Sequence, residues 1–203
     1  MASNAAPEVV GRPRRDDILI AAARMFNERG YQATSVRDIA AGCDMRVGSL
    51  YHHFASKNEM LAELVVRYYQ TLVPELHAIM ETRHDGATKL TSLVTATLEV
   101  SMSRRFEFMA MFTEWKLVQQ TPQLDTLVAD RDRSLEMTRA AIRQGIADRS
   151  LRADLDIDAT LIVVVAGIAG IVDHRHEFAP LARGVDPILA YVDLLRRAVA
   201  VGP

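Results

Sequence analysis

The stretch TSVRDIAAGCDMRVGSLYHHFASK, residues 34–57, decides the fold. Ser35 stands three residues before Asp38, the spacing of a capping box that opens a helix. Val36, Ile39 and Ala40 give that helix one apolar side. Gly42-Cys43-Asp44 ends the pattern, and a second short helix is predicted over Arg46 to His53, with Leu50 and Phe54 on one face at i, i+4. Ser56 and Glu59 repeat the capping spacing and open a third helix. Two helices this short cannot bury a core alone. A helix-turn-helix solves that by packing them on neighbouring helices and presenting the second to DNA. Arg46, at the start of that helix, opposes the helix dipole, so it suits a base edge or a phosphate better than it suits helix stability. Ser49, Tyr51 and His52 are hydrogen-bonding side chains on the outward face.

Residues 14–64 resemble the DNA-binding domain of the tetracycline-repressor (TetR) family of bacterial transcription regulators. The matching signs are Ala22-x-x-x-Phe26-x-x-x-Gly30-Tyr31, Thr34-Ser35-Val36-Arg37-Asp38-Ile39-Ala40, Gly48-Ser49-Leu50-Tyr51-His52-His53-Phe54 and Ser56-Lys57-Asn58-Glu59-Met60-Leu61. At the turn the chain has Cys43-Asp44-Met45-Arg46 where the family usually has Ala-Gly-Val-Ser. Asp44 replaces the turn glycine and tolerates the left-handed region better than most residues, so the turn is expected to survive. The resemblance implies DNA contacts by Ser35, Arg37 and Arg46, with Val47, Gly48 and Ser49 in the major groove. It implies phosphate contacts by Tyr51, His52 and Lys57, and core positions for Leu50 and Phe54.

Composition fits that reading. The 203 residues are 49% apolar, enough for a full core, and the net charge is −2. Residues 1–57 hold eight Lys/Arg against six Asp/Glu, and the remainder sixteen against twenty, so the positive end is the N-terminal one. The single cysteine, Cys43, excludes an internal disulfide and a cysteine-cluster metal site, and it is expected to be a packed thiol in a cytoplasmic protein. No signal peptide is expected in residues 1–13. The longest apolar run, Leu161 to Val172, is shorter than the roughly 20 residues that cross a bilayer.

An all-α architecture of about nine helices follows. Residues 1–13 are expected to be a flexible arm, in which Arg12, with Arg14 and Arg15 beyond it, is placed to reach a minor groove. Residues 14–60 form the helix-turn-helix domain and 61–203 a ligand-binding and dimerisation domain. Helix 1 is predicted over about Arg14 to Glu28, with Gly30 as its cap. Helix 4 is predicted from Ser56 to about Arg83 with a bend near 70–74 at Pro74, where pocket shape would pass to the reading head. Helix 5 follows over Ala87 to Met102, helix 6 over Arg105 to Gln119, and helix 7 from the Thr121-Pro122 start signal to Asp148. Helix 8 is expected over Ile157 to His176 and helix 9 from Asp186-Pro187 to Val199. Asp130-Arg131-Asp132-Arg133 is read as a solvated face.

The family resemblance implies a small-molecule pocket in the larger domain, with Met102, Phe106, Met109, Phe112, Trp115 and Met137 as candidate lining. It also implies a homodimer built from the last two helices, for which Val164, Gly167, Ile168, Ile171, Val192 and Leu195 are candidates. The expected function is a ligand-responsive repressor that binds a palindromic double-stranded DNA operator and is released by a small apolar or acyl-CoA-like effector. The alternative is a DNA-binding regulator controlled by a partner protein or by no small molecule. Neither catalysis nor a cofactor nor membrane association is expected. His174-x-His176-Glu177 lacks a third ligand on a shared face, and Asp148, Asp154, Asp156 and Asp158 lack calcium-loop spacing.

Overall fold

The computed structural model describes residues 15–119, 125–182 and 184–201, without the side chains of 117–118 and 175–182. Among these residues all regular structure is helical: α1 (Arg15–Arg29), α2 (Val36–Gly42), α3 (Val47–Tyr51), α4 (Lys57–Met80), α5 (Gly86–Ser103), α6 (Arg105–Thr113), α7 (Trp115–Gln119), α8 (Asp125–Ala147), α9 (Ile157–Ala182) and α10 (Pro187–Val199). One isolated bridge joins Leu151 and Ala200. The chain divides into two compact units, residues 1–61 and 62–203, and the division falls inside α4.

In the first unit α1 packs on α2 and α2 on α3. Ile18, Ala22, Phe26, Ile39, Leu50 and Phe54 are all buried, each contributing on the order of 1.5–3 kcal/mol where the side chain is large. Met25, expected inward with them, is half-buried. The turn survives as expected: Asp44 has φ +51°, and Met45 N–H donates to the Ala40 carbonyl at 2.9 Å. Gly30 closes α1 at φ +84°, a conformation glycine takes without penalty.

In the second unit α5 is the centre, packed on α8, α9 and α10. Its close crossing with α8 depends on glycine: a Cβ at Gly86 would overlap the Gly145 main chain. Asp148 fastens the same corner by accepting from Gly86 N–H at 2.9 Å and Ser150 Oγ at 2.6 Å.

Two expectations need correction. The sixth predicted helix is two, because the chain leaves helical geometry at Glu114 (φ −102°, ψ 19°), and so the nine predicted helices are met as ten segments. At Pro74, near which a bend was expected, α4 continues as one helix to Met80. One missing N–H in a long, well-packed helix is a smaller loss than unwinding it. The eighth predicted helix continues past His176 as α9, with a kink at His174 (φ −98°, ψ 16°). There Arg105 donates to the Val172 and Asp173 carbonyls, at 3.1 and 3.3 Å. The Thr121-Pro122 start signal, the arm, Arg12 and Arg14 lie outside the described residues.

Candidate nucleic-acid interface and the cavity of the second unit

The candidate interface stands on α2 and α3. Ser35 caps α2 in a complete capping box: Asp38 N–H donates to Ser35 Oγ at 3.2 Å, and Ser35 N–H to Asp38 Oδ2 at 2.8 Å. The Ser35 hydroxyl holds the Asp38 carboxyl below the usual carboxylate range, with the Ser35 backbone adding to it. Ser35 is therefore occupied in shaping α2.

Arg37 and Arg46 are exposed. Arg46 is the N-cap of α3 and makes no side-chain capping bond (φ −73°, ψ 143°), so its guanidinium serves no helical purpose. Next to it, Gly48 is exposed, and a Cβ there would meet nothing within 4 Å, which leaves the main chain open to close approach. Val47 and Ser49 are half-buried, Tyr51 is 53% exposed and His52 is exposed. The five-residue α3 is held from beneath by Leu50, at 0% exposure. Gly48, Tyr51 and His52, at helical spacing, thus share one accessible face, and Arg46 stands exposed at the start of α3.

Two basic residues make contacts within the unit. Lys57 Nζ donates to the carbonyls of Tyr31 and Thr34, at 2.6 and 2.8 Å, and lies 4.1 Å from the centre of the Tyr31 ring. Arg15 donates to the His53 carbonyl, pairs with Glu59 at 3.2 Å and stacks 3.9 Å from the Phe54 ring centre. Both were expected at DNA. In the structure Lys57 ties the start of α4 to the turn between α1 and α2, and Arg15 ties α1 to the His53 carbonyl beyond α3 and to Glu59 of α4, so the ammonium and guanidinium supply donors to carbonyls near helix ends. The second capping box is shifted by one residue: Glu59 N–H donates to Ser56 Oγ at 3.1 Å, while the Glu59 carboxylate accepts from Ala55 N–H at 2.6 Å. Cys43 is half-buried, and burial, reinforced by Asp17, raises its thiol pKa, which keeps it protonated.

The second unit contains a cavity of about 280 Å³, at the lower end of ligand-pocket volumes. α4 contributes Tyr68, Tyr69 and Leu72, and α6 contributes Phe108, Met111 and Phe112. Trp115 begins α7, Arg131, Ser134 and Leu135 come from α8, and Val165 and Ile168 from α9. Of the expected lining residues, Phe112 and Trp115 are here. Met109 is buried in the core, and Met102, Phe106 and Met137 are half-buried away from the cavity. Burial raises the Tyr68 and Tyr69 pKa values, so both stay protonated. Tyr68 and Tyr69 had a sequence signal in their adjacent aromatic rings on an apolar face. Arg131 had one too: it sits at i+4 from Leu127 and i−4 from Leu135, interrupting the apolar stripe of α8.

The expected dimer residues divide. Val164, Ile168 and Leu195 are buried within one chain, at 3%, 5% and 5% exposure. Gly167 faces Tyr191 of α10, whose hydroxyl donates to the Val163 and Val164 carbonyls at 3.1 and 3.2 Å; a Cβ at Gly167 would overlap the tyrosine ring. Ile171 and Val192 are half-buried. The exposed apolar side chains of α9 and α10 are Ile162, Val163, Leu189 and Leu194, at 68%, 59%, 66% and 65%. The segment Ile157–His174, with mean hydropathy 1.8, is long and apolar enough by length and composition to cross a membrane, beyond what the 12-residue run suggested. Its inner side, Leu161, Val164, Ile168, Ala169 and Val172, is packed in the second unit. Among the described residues no cluster of three metal-ligating side chains occurs; His176 and Glu177 have side chains outside them.

Residues 18–64 match the family model described as bacterial regulatory proteins, tetR family. The chain is 36% identical over 155 residues to the HTH-type transcriptional repressor KstR2 of Mycolicibacterium smegmatis, covering 75% of this chain and 76% of that one. It is 34% identical over 145 residues to KstR2 of Mycobacterium tuberculosis, covering 71% and 72%. The solved structure described as the ketosteroid transcriptional regulator KstR2 of M. tuberculosis superposes with a TM-score of 0.81 at 26% identity, covering 98% of this chain and all of that one. With its capped α2, its α3 edge and relatives matched over three quarters of their length, this chain belongs to the TetR family of bacterial transcriptional regulators.

Proposed function

We propose that the chain is a dimeric, cytoplasmic repressor that binds a palindromic operator and is released by a small apolar or acyl-CoA-like effector held in the cavity of the second unit. The observation that carries the reading is that α4 supplies both ends of the device. Its first turn, Lys57 to Leu61, belongs to the first unit, and Tyr68, Tyr69 and Leu72 line the cavity. An effector that displaces these three side chains acts on the helix whose start, through Lys57, braces the turn between α1 and α2. Arg46, Val47, Gly48 and Ser49 read base edges, while Arg37, Tyr51 and His52 contact phosphates. Two copies would set their α3 helices in successive major grooves, roughly 34–36 Å apart.

The dimer is proposed to close over Ile162, Val163, Leu189 and Leu194, whose exposed side chains form a seam that water covers at a cost. The aromatic walls suit a fused-ring or acyl effector, and the M. tuberculosis relative is described as a ketosteroid regulator. A partner-controlled regulator would be favoured by a filled second unit, and the cavity argues against it. Electrophoretic mobility shift with the DNA upstream of the chain's own gene, repeated with steroid-derived acyl-CoA esters, tests the reading: a specific complex dissolved by one of them supports it. A specific complex that no small molecule dissolves would move the partner-controlled reading ahead.

A further inference from the structure

The cavity wall is apolar and aromatic except in one place. Arg131 is its one charged side chain among the described residues, and its guanidinium lies 4.2 Å from the centre of the Trp115 ring. Stacking on an indole holds a guanidinium in place without using its N–H groups. The other polar groups of the wall have spent their protons within the protein. Tyr69 Oη donates to Met111 Sδ at 3.1 Å, Thr97 Oγ1 to the Leu93 carbonyl at 2.7 Å and Ser134 Oγ to the Asp130 carbonyl at 2.9 Å. Tyr68 shares a hydrogen bond of 2.8 Å with Ser101. The neighbouring acids do not neutralise Arg131 at contact: Asp130 pairs with Arg133 at 3.2 Å, Asp132 is exposed, and no carboxylate lines the cavity among the described residues.

We infer that Arg131, stacked on Trp115, anchors an anionic group of the effector, so that the cavity selects apolar molecules carrying a carboxylate or a phosphate over neutral molecules of the same shape. The inference rests on the proposed function of the cavity. The logic is electrostatic: a partly enclosed cavity whose one charged side chain is a cation, among walls that are mostly apolar, stabilises an opposite charge more than fully water-exposed arginines do. Arg131 also faces the ring that any ligand in the cavity must touch, so its charge and the aromatic surface act on the same molecule.

The chain has a single tryptophan, and it is Trp115, so intrinsic fluorescence reads occupancy of this cavity directly. The test titrates the full-length protein with decanoate, decanol and decanoyl-CoA, following Trp115 emission and release of operator DNA. Decanoate is expected to bind about tenfold or more tightly than decanol. Arg131→Met should abolish that advantage, so that decanoate binds no more tightly than decanol, and Arg131→Lys, which keeps the charge, should retain part of it. Circular dichroism of both variants confirms that helicity is intact. If decanoyl-CoA alone shows the Arg131-dependent advantage, the anion is a CoA phosphate and the anchor stands. Equal binding of decanoate and decanol, together with no effect of either substitution on decanoyl-CoA, would overturn the anchor and leave the cavity as an effector site. No response of Trp115 to any of the three, with DNA binding intact, would overturn the cavity reading itself and the anchor with it.

Discussion

Lys57 and Tyr31 are joined twice: Nζ donates to the Tyr31 carbonyl at 2.6 Å and sits 4.1 Å from the centre of the Tyr31 ring. A lysine at the start of α4 is thereby a brace for the turn after α1. Lys57→Met is expected to lower the stability of the first unit by about 1–2 kcal/mol, allowing for partial exposure of the clamp. Its effect on DNA binding should follow the folded fraction. The check is thermal unfolding beside a salt series of operator affinity. A variant of unchanged stability whose salt slope falls by about one would place Lys57 on a phosphate instead.

The seam of α9 and α10 makes a contrast within one helix pair. Leu189 is 66% exposed and Leu195 is 5% exposed. Leu189→Asp should leave the monomer fold intact and shift the protein from dimer to monomer in sedimentation velocity. Leu195→Ala should instead destabilise the chain by roughly 2–5 kcal/mol through the cavity it leaves, whatever the assembly state.

That contrast also shows what the sequence makes legible. The helix-turn-helix was readable because its signals are local: the Ser35–Asp38 box, the Leu50 and Phe54 anchors and Asp44 in the left-handed turn need only a few residues of context. Which side of α9 packs within the chain was not legible, because α9 is apolar on both sides. Ile162 and Val163 look no different from Val164 until packing on α5 decides which faces inward. The contacts that Lys57 and Arg15 make within the unit were not legible for a related reason: the carbonyls they satisfy, such as those of Thr34 and His53, come near only once the chain is folded. Of the six expected lining residues Phe112 and Trp115 border the cavity, and the walls that α4 and α9 supply were not expected, because only packing decides which of their apolar side chains border a void.

Arg46 caps α3 without any side-chain bond to it. Arg46→Ala should therefore leave stability nearly unchanged and weaken specific binding by about 1–3 kcal/mol, altering preference at one operator position. Selection of randomised operators with both proteins measures it. Loss that is equal for all sequences would make Arg46 a phosphate contact.

Asp38 sets the acid behaviour of α2. Its carboxyl titrates lower in the folded chain than in the unfolded one, chiefly because Ser35 donates to the charged form. The stabilisation is therefore fully present above the ordinary carboxylate pKa of about 3.9, and is lost as pH falls through the lower folded value. Asp38→Asn should flatten the acid limb of unfolding curves below about pH 4. An unchanged acid limb would show that the capping box does not contribute there.

The most direct measurement is a footprint on the DNA upstream of the chain's own gene, taken across a salt series. The account predicts a protected, inverted-repeat site whose half-sites lie about one helical turn apart and which survives at salt that removes bulk DNA binding. Weak binding, equal for every sequence and lost with salt, would contradict it.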